Sequence, residues 1–167
     1  MDRLYKEIGE ILKKRSVIVG IGDKLKGDDG AGVFLTEKLR DFENDNLKIV
    51  IAEKNPENFL GHIKNFNPEV ILFVDAVDLN SFPGDMKILN KEDLLFTGLT
   101  THSFPLKLIF EYLENETNSK ILLLGIQPKR ISFCEGLSDE VKKSVEKILS
   151  FLISKMGRNY EENSYKI

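Results

Sequence analysis

The sequence predicts an α/β fold, a three-layer α-β-α sandwich built on a mostly parallel, twisted five-stranded sheet. Apolar segments of strand length alternate along the chain with segments in which apolar residues recur at helical spacing. Two of the strand segments, residues 70–74 and 121–125, are apolar without alternation, which is typical of strands covered on both faces. A chain of 167 residues fits one domain. We therefore predict a single domain over residues 1–157 and a flexible C-terminal tail over residues 158–167.

The first three elements are predicted from local patterns near the N-terminus. Residues 3–14 repeat apolar side chains at helical spacing, and residues 16–22 form an apolar strand that ends in glycine. A helix is predicted over residues 30–39, with an acidic pair at its start. Free N–H groups and the helix dipole favour a carboxylate there. A cap needs only one carboxylate, so Asp28 and Asp29 are both candidates. The position of Asp29 relative to the polar residues and motifs described below makes Asp28 the expected cap and Asp29 the expected ligand.

The later elements are predicted from apolar runs and from proline and glycine punctuation. Pro56 and Pro105 stand near the starts of two helices, and a Pro83-Gly84 turn precedes a short strand. Ser138 is the expected N-cap of the last helix, which Gly157 is expected to end. The predicted strands span residues 48–52, 70–74, 86–89 and 121–125, and the predicted helices span residues 56–65, 105–113 and 138–156.

The composition argues against nucleic-acid-binding, disulfide-stabilised and membrane-inserted proteins. The net charge of −3 argues against a broad nucleic-acid-binding surface. The one cysteine, Cys134, cannot form an intramolecular disulfide, which fits a reducing, cytoplasmic location, and we interpret it as structural. No apolar run approaches the ~20 residues that span a bilayer, so we expect no membrane insertion.

Three polar residues fall where the predicted sheet would hold a functional site. Asp29 follows the first strand, Asp75 ends the third strand, and His102 precedes a helix. Sites in such sheets collect at the carboxyl ends of the strands, where these residues can converge. Two carboxylates and an imidazole suit a divalent metal such as zinc, nickel or manganese. Each residue taken alone also has a structural interpretation, as a cap, a paired strand-end acid or a satisfied histidine.

Other candidates have weaker patterns. His62 lies in a predicted helix with no motif around it, and we interpret it as a surface or structural residue. Asp78 is interpreted as a turn residue. Gly20-Ile21-Gly22 resembles the start of a dinucleotide fingerprint, but Leu25 stands where the third glycine belongs, and the acidic pair would repel a pyrophosphate. A phosphoacceptor receiver domain is disfavoured because the last strand is followed by Gly-Ile-Gln-Pro at residues 125–128 rather than by a lysine.

Taken in order, the motifs resemble those of the maturation endopeptidases of nickel–iron hydrogenases. The segments that carry the resemblance are Val-Gly-Ile-Gly-Asp at 19–23, Gly-Asp-Asp-Gly-Ala-Gly at 27–32, Val-Asp-Ala-Val-Asp at 74–78, Pro-Gly at 83–84, Thr-Thr-His at 100–102 and Leu-Gly-Ile-Gln-Pro at 124–128. The resemblance spans residues 16 to about 153. The N-terminal helix departs from shorter members of the family, which begin almost at the first strand.

The resemblance implies an endopeptidase that removes the C-terminal extension of a hydrogenase large-subunit precursor after nickel insertion. Asp29, Asp75 and His102 would bind the metal, which would be the nickel already held by the precursor. Asp29 and Asp75 would be catalytic, acting through the metal or through water. The implied partner is the nickel-loaded precursor, and the oligomeric state stays open. The alternative is a non-hydrolytic metal-binding chaperone or sensor of the same fold.

Overall fold

A computed structural model describes residues 2–97 and 105–164 of the chain. The helices are α1 (Asp2–Leu12), α2 (Ala31–Leu39), α3 (Leu60–Asn65), α4 (Lys91–Thr97), α5 (Leu106–Glu116) and α6 (Asp139–Ser164). The strands are β1 (Ser16–Ile21), β2 (Leu47–Glu53), β3 (Val70–Ala76), β4 (Met86–Leu89) and β5 (Lys120–Ile126). None of the helices in this described part is long and apolar enough to cross a bilayer.

The five strands form one sheet in the order β2-β1-β3-β5-β4, which confirms the predicted fold class. β4 pairs antiparallel with β5, and the other neighbours are parallel. Val19 at the centre of the sheet is in register with Val50 on one side and Phe73 on the other. After β1 the chain forms β2 on one side of β1 and then β3 on its other side. The topological switch point therefore lies between the carboxyl ends of β1 and β3.

Helices cover both faces of this sheet. Alternate strand residues divide between two cores, as the two-residue period of a strand requires. Ile18 and Leu72 face the core shared with α1, α2 and α6, whereas Val19 and Phe73 face the core shared with α3, α4 and α5. The strands are thus apolar on both sides, which is why their segments show no alternation in the sequence.

Two glycines bring α2 into close contact with the sheet. A Cβ atom at Gly20 would lie 2.0 Å from Thr36 Oγ1, and one at Gly32 would lie 2.1 Å from the Val74 carbonyl oxygen. Neither distance is possible for real atoms, so both positions depend on the missing side chain. Gly20, the first glycine of the fingerprint-like segment Gly20-Ile21-Gly22, therefore serves helix–sheet packing, and this packing fixes the turn that leads into α2.

The predicted end of the last helix is wrong. α6 continues through Gly157 to Ser164. Glycine inside a helix costs only about 1 kcal/mol relative to alanine, which is too little to end a helix whose apolar face is buried up to Met156. Smaller differences are that α1 ends at Leu12 and that the Pro56–Phe59 stretch before α3 is a 3₁₀ turn.

α4 was not predicted, although its start carries a recognisable signal. The Asn90 N–H donates to the Asp93 carboxylate at 2.9 Å, and the Asp93 N–H donates to the Asn90 side chain at 3.0 Å. This reciprocal pair is the geometry of a capping box, with asparagine and aspartate in place of the commoner residues. The pattern Asn-Lys-Glu-Asp at 90–93 was therefore the available clue.

Candidate functional site

Asp29 and Asp75 meet at the carboxyl edge of the sheet, on either side of Gly22. Asp29 lies on the 3₁₀ turn Gly27–Gly30 that leads into α2, and Asp75 is the penultimate residue of β3. A Cβ atom added to Gly22 would lie 1.8 Å from the Asp29 carbonyl oxygen and 3.7 Å from Asp75 Oδ1. Gly22 also has a φ of +137°, which disfavours any other residue. This glycine lets the two acidic residues approach at the switch point.

Both side chains are buried. Asp29 is 6% exposed and Asp75 is 3% exposed. A carboxylate in such surroundings needs hydrogen bonds or a cation to remain ionised. Asp29 Oδ2 accepts a hydrogen bond from the Asp23 N–H at 3.0 Å. Two buried acids placed together at the switch point favour a functional interpretation over a cap.

His102, the third predicted site residue, lies outside the described residues. Within residues 2–97 and 105–164, no group of three or more histidine, cysteine, aspartate or glutamate residues is arranged to hold a metal ion. The described part of the site therefore consists of the Asp29 and Asp75 carboxylates and the backbone around Gly22.

Asp28 does not cap α2, so that prediction is wrong. Its fully buried carboxylate instead accepts hydrogen bonds from the loop that joins β5 to α6. Oδ1 accepts from the Ser138 N–H at 2.7 Å. Oδ2 accepts from the Ser138 hydroxyl at 2.8 Å and from the N–H groups of Lys129 at 2.8 Å and Arg130 at 3.1 Å. The Ser138 hydroxyl, expected to cap α6, thus donates to Asp28.

These bonds determine the charge state of Asp28. Burial acts to raise the pKa of the carboxyl group, but the hydrogen bonds from Ser138, Lys129 and Arg130 together outweigh it, and the pKa lies below its ordinary value. Asp28 is therefore an ionised structural anchor at neutral pH. The two neighbouring acids of the turn have different tasks: Asp28 holds the β5–α6 loop, and Asp29 faces the site.

Backbone pairing adds to the connection between this turn and the β5–α6 loop. The Gly27 N–H donates to the Cys134 carbonyl at 2.7 Å, and the Cys134 N–H donates to the Leu25 carbonyl at 2.9 Å. The Asp28 N–H donates to the Arg130 carbonyl at 2.9 Å. These contacts support the structural interpretation of Cys134, whose backbone rather than its thiol carries the pairing.

Gln127 is a structural residue of the site that the sequence reasoning missed. Its side-chain Oε1 accepts a hydrogen bond from the Leu79 N–H at 2.6 Å. Its backbone accepts from the Gly84 N–H at 2.9 Å and donates to the Asp85 carbonyl at 2.8 Å. Gln127 thus holds the β3–β4 loop that follows Asp75. A buried amide directly after an apolar strand was the available signal.

Two residues have the roles predicted for them. Asp78 is exposed, and its Oδ1 accepts a hydrogen bond from the Asn80 N–H at 3.0 Å, as expected of a turn residue. His62 is exposed on α3.

Comparison with known proteins points to one family. A model of the hydrogenase maturation protease family matches residues 33–155. The chain is 37% identical to a predicted hydrogenase maturation protease of Methanocaldococcus jannaschii over 148 residues, which cover 84% of this chain and 87% of that protein. It is 31% identical to the hydrogenase 3 maturation protease of Escherichia coli K12, over 79% of this chain and 85% of that protein.

A solved structure agrees with this relationship. The crystal structure of the NiFe hydrogenase maturation protease HycI from Thermococcus kodakarensis KOD1 superposes with a TM-score of 0.82 at 28% identity, covering 90% of this chain and 99% of that one. From the family match and the two relatives, together with this fold, we conclude that the chain is a peptidase that belongs to the hydrogenase maturation protease family.

Proposed function

We propose that this peptidase removes the C-terminal extension of a nickel–iron hydrogenase large-subunit precursor after nickel has been inserted. The partner is the nickel-loaded precursor, and the metal is part of the substrate. The observation that carries the proposal is the pair of buried acidic residues, Asp29 and Asp75, which both lie beside Gly22 at the switch point. The single cysteine fits a reducing compartment, so we assign the reaction to the cytoplasm.

The donor set explains how a loaded precursor would be distinguished from an empty one. Two carboxylates and an imidazole suit a divalent metal such as nickel but fall short of a closed four-ligand shell. A metal held by such a set needs further ligands, which the precursor supplies. An empty precursor lacks this anchor, so it binds weakly and escapes cleavage.

The position of α5 supports a role for His102 in addition to the family resemblance. α5 ends near the amino edge of the sheet, because the Lys120 N–H that follows it donates to the Glu69 carbonyl at 2.8 Å. α5 therefore begins toward the carboxyl edge, where Asp29 and Asp75 lie. His102 precedes Leu106 by four residues, which span at most about 14 Å. This reach is compatible with the imidazole joining the two carboxylates.

The same residues support hydrolysis by two routes. When bound, the metal supplies Lewis acidity toward the scissile carbonyl or a water molecule. Alternatively, Asp29 or Asp75 accepts a proton from the attacking water. In both routes the protein holds the carboxylates rigidly, Asp75 on β3 and Asp29 on a turn fixed by α2 and by the Asp28 hydrogen bonds.

Site variants test the proposal on a nickel-loaded precursor. Asp29→Asn, Asp75→Asn and His102→Ala should each abolish processing, because each removes one donor to the metal. Asp78→Asn is the matched control, since Asp78 follows β3 on an exposed turn, and it should process the precursor normally. The measurement is the mass of the precursor after incubation.

Folding of each variant is checked by thermal unfolding. Normal processing by Asp29→Asn or His102→Ala would contradict the proposal. The mass also addresses the chaperone or sensor alternative, because a non-hydrolytic partner would release a precursor of unchanged length.

A further inference from the structure

A pocket beside the Gly27–Gly30 turn has no part in the site described so far. Its volume is about 390 Å³, and it lies between the β1–α2 loop and the β5–α6 loop. Leu25, Phe34 and Leu137 supply its apolar walls. A concave, mostly apolar surface with a few polar groups is the usual form of a binding site.

One cation of the pocket is available to an anionic group of a ligand. Lys24, Lys142 and Glu135 line it. Lys24 is engaged by Glu37, with 2.9 Å between Nζ and Oε1. Lys142 lies exposed in the first turn of α6, and no ion pair joins it to another of the described residues. Lys142 is therefore the cation of the pocket most available to a ligand carboxylate.

The position of the pocket connects it with the carboxylate site. Gly27 and Gly30 belong to its lining, and Gly30 is covalently joined to Asp29. Consecutive Cα atoms are about 3.8 Å apart, so a peptide that passes Asp29 reaches the pocket within a few residues. A ligand that uses both places is therefore an extended chain that continues from the site.

Exposed apolar side chains surround this edge of the sheet. In the described part of the chain, the exposed large apolar side chains include Leu25 (56%), Phe82 (81%), Ile131 (47%) and Phe133 (84%). They lie on the loops that follow β1, β3 and β5, beyond the carboxyl ends of those strands. Single exposed apolar residues are normal, but several at one edge mark a surface that contacts a partner.

We propose that the pocket binds an apolar side chain flanked by an acidic group, and that the precursor's C-terminal extension supplies both. This inference rests on the proposed function and specifies its substrate. The apolar side chain contacts Leu25, Phe34 and Leu137, and the acidic group pairs with Lys142. Occupation of the pocket would hold the extension beside Asp29 while the metal anchors the rest of the precursor.

Matched variants test the pocket through steady-state kinetics on the nickel-loaded precursor. Leu25→Ser and Lys142→Glu should each raise KM about tenfold with kcat nearly unchanged, because they weaken binding in the ground state and transition state alike. Tyr112→Ser is the control for the first, since Tyr112 is 40% exposed on α5, further from the carboxyl edge. Lys120→Glu is the control for the second, since Lys120 is exposed at the amino edge of the sheet. Both controls should keep the wild-type KM.

A fluorescently labelled, nickel-free precursor escapes cleavage, so its binding, measured by anisotropy at high protein concentration, gives a readout without hydrolysis. The same loss of about tenfold in affinity is expected for Leu25→Ser and Lys142→Glu. Changing an acidic residue of the extension to lysine should restore binding to Lys142→Glu. Wild-type KM and affinity in both pocket variants would overturn this inference while leaving the proposed function intact. If wild-type protein fails to cleave the precursor, the proposed function fails, and the anisotropy comparison still decides whether the pocket binds the extension.

Discussion

At the residue scale, two adjacent aspartates of one turn have separate tasks. Asp28 is fully buried and accepts hydrogen bonds from Lys129, Arg130 and Ser138, whereas Asp29 lies across Gly22 from Asp75. The sequence places an acidic pair at this turn but cannot assign the two residues. Their separation depends on a loop about 100 residues away, which no local pattern reveals.

Removal of the Asp28 carboxylate should destabilise the fold. Asp28→Ala leaves several buried donors without an acceptor, so the free energy of unfolding should fall by at least about 2 kcal/mol. Urea unfolding monitored by circular dichroism measures this change. Asp41→Ala, at an exposed acid after α2, should change stability by less than about 0.5 kcal/mol. Equal effects of the two substitutions would contradict the anchoring role of Asp28.

The lowered pKa of Asp28 predicts an acid-dependent loss of stability. Because the folded-state pKa lies below the ordinary value of 3.8, the unfolded chain takes up the proton first. The contribution is therefore fully present above that value and is lost as the pH falls through the folded-state pKa. The difference in Tm between wild type and Asp28→Ala should be constant from pH 7 to about pH 5 and should narrow below about pH 4. A difference that widens toward acid would contradict this assignment.

At the element scale, the position of α2 determines the position of the site. Gly20 and Gly32 allow this helix to lie against β1 and β3, and the turn at its start carries Asp29. The strands were predictable to within two residues because their apolar runs are bounded by polar or glycine residues. The end of α6 was not predictable, because burial of its apolar face stabilises the helix by more than Gly157 destabilises it.

A side chain at Gly32 should disturb both stability and the site. The Cβ of Gly32→Ala would meet the Val74 carbonyl at 2.1 Å, and a backbone atom cannot move away easily. We expect a loss of about 1–3 kcal/mol in unfolding free energy, as for other overpacked positions. Gly61→Ala in α3 is the control, since nothing lies within 4 Å of its added Cβ. That substitution should leave stability unchanged or raise it by up to about 1 kcal/mol. Equal stability in both variants would contradict the close packing of α2.

At the scale of the whole molecule, one edge of the sheet concentrates the features on which the proposed substrate contacts depend. The acids Asp29 and Asp75, the apolar-walled pocket and the exposed side chains of the surrounding loops all lie beyond the carboxyl ends of the strands. The order of the motifs was enough to indicate the family. Each short segment is a weak signal alone, but several of them in the order typical of the family are specific. The pocket could not be predicted, since its walls come from residues 24–34 and 135–142.

The central claim is that the peptidase acts on a precursor only after nickel has been inserted. The most direct measurement is the mass of a large-subunit precursor incubated with wild-type protein, in nickel-loaded and nickel-free forms side by side. We predict that the loaded form loses its C-terminal extension and that the empty form keeps its full length. Cleavage of both forms at similar rates would contradict the claim.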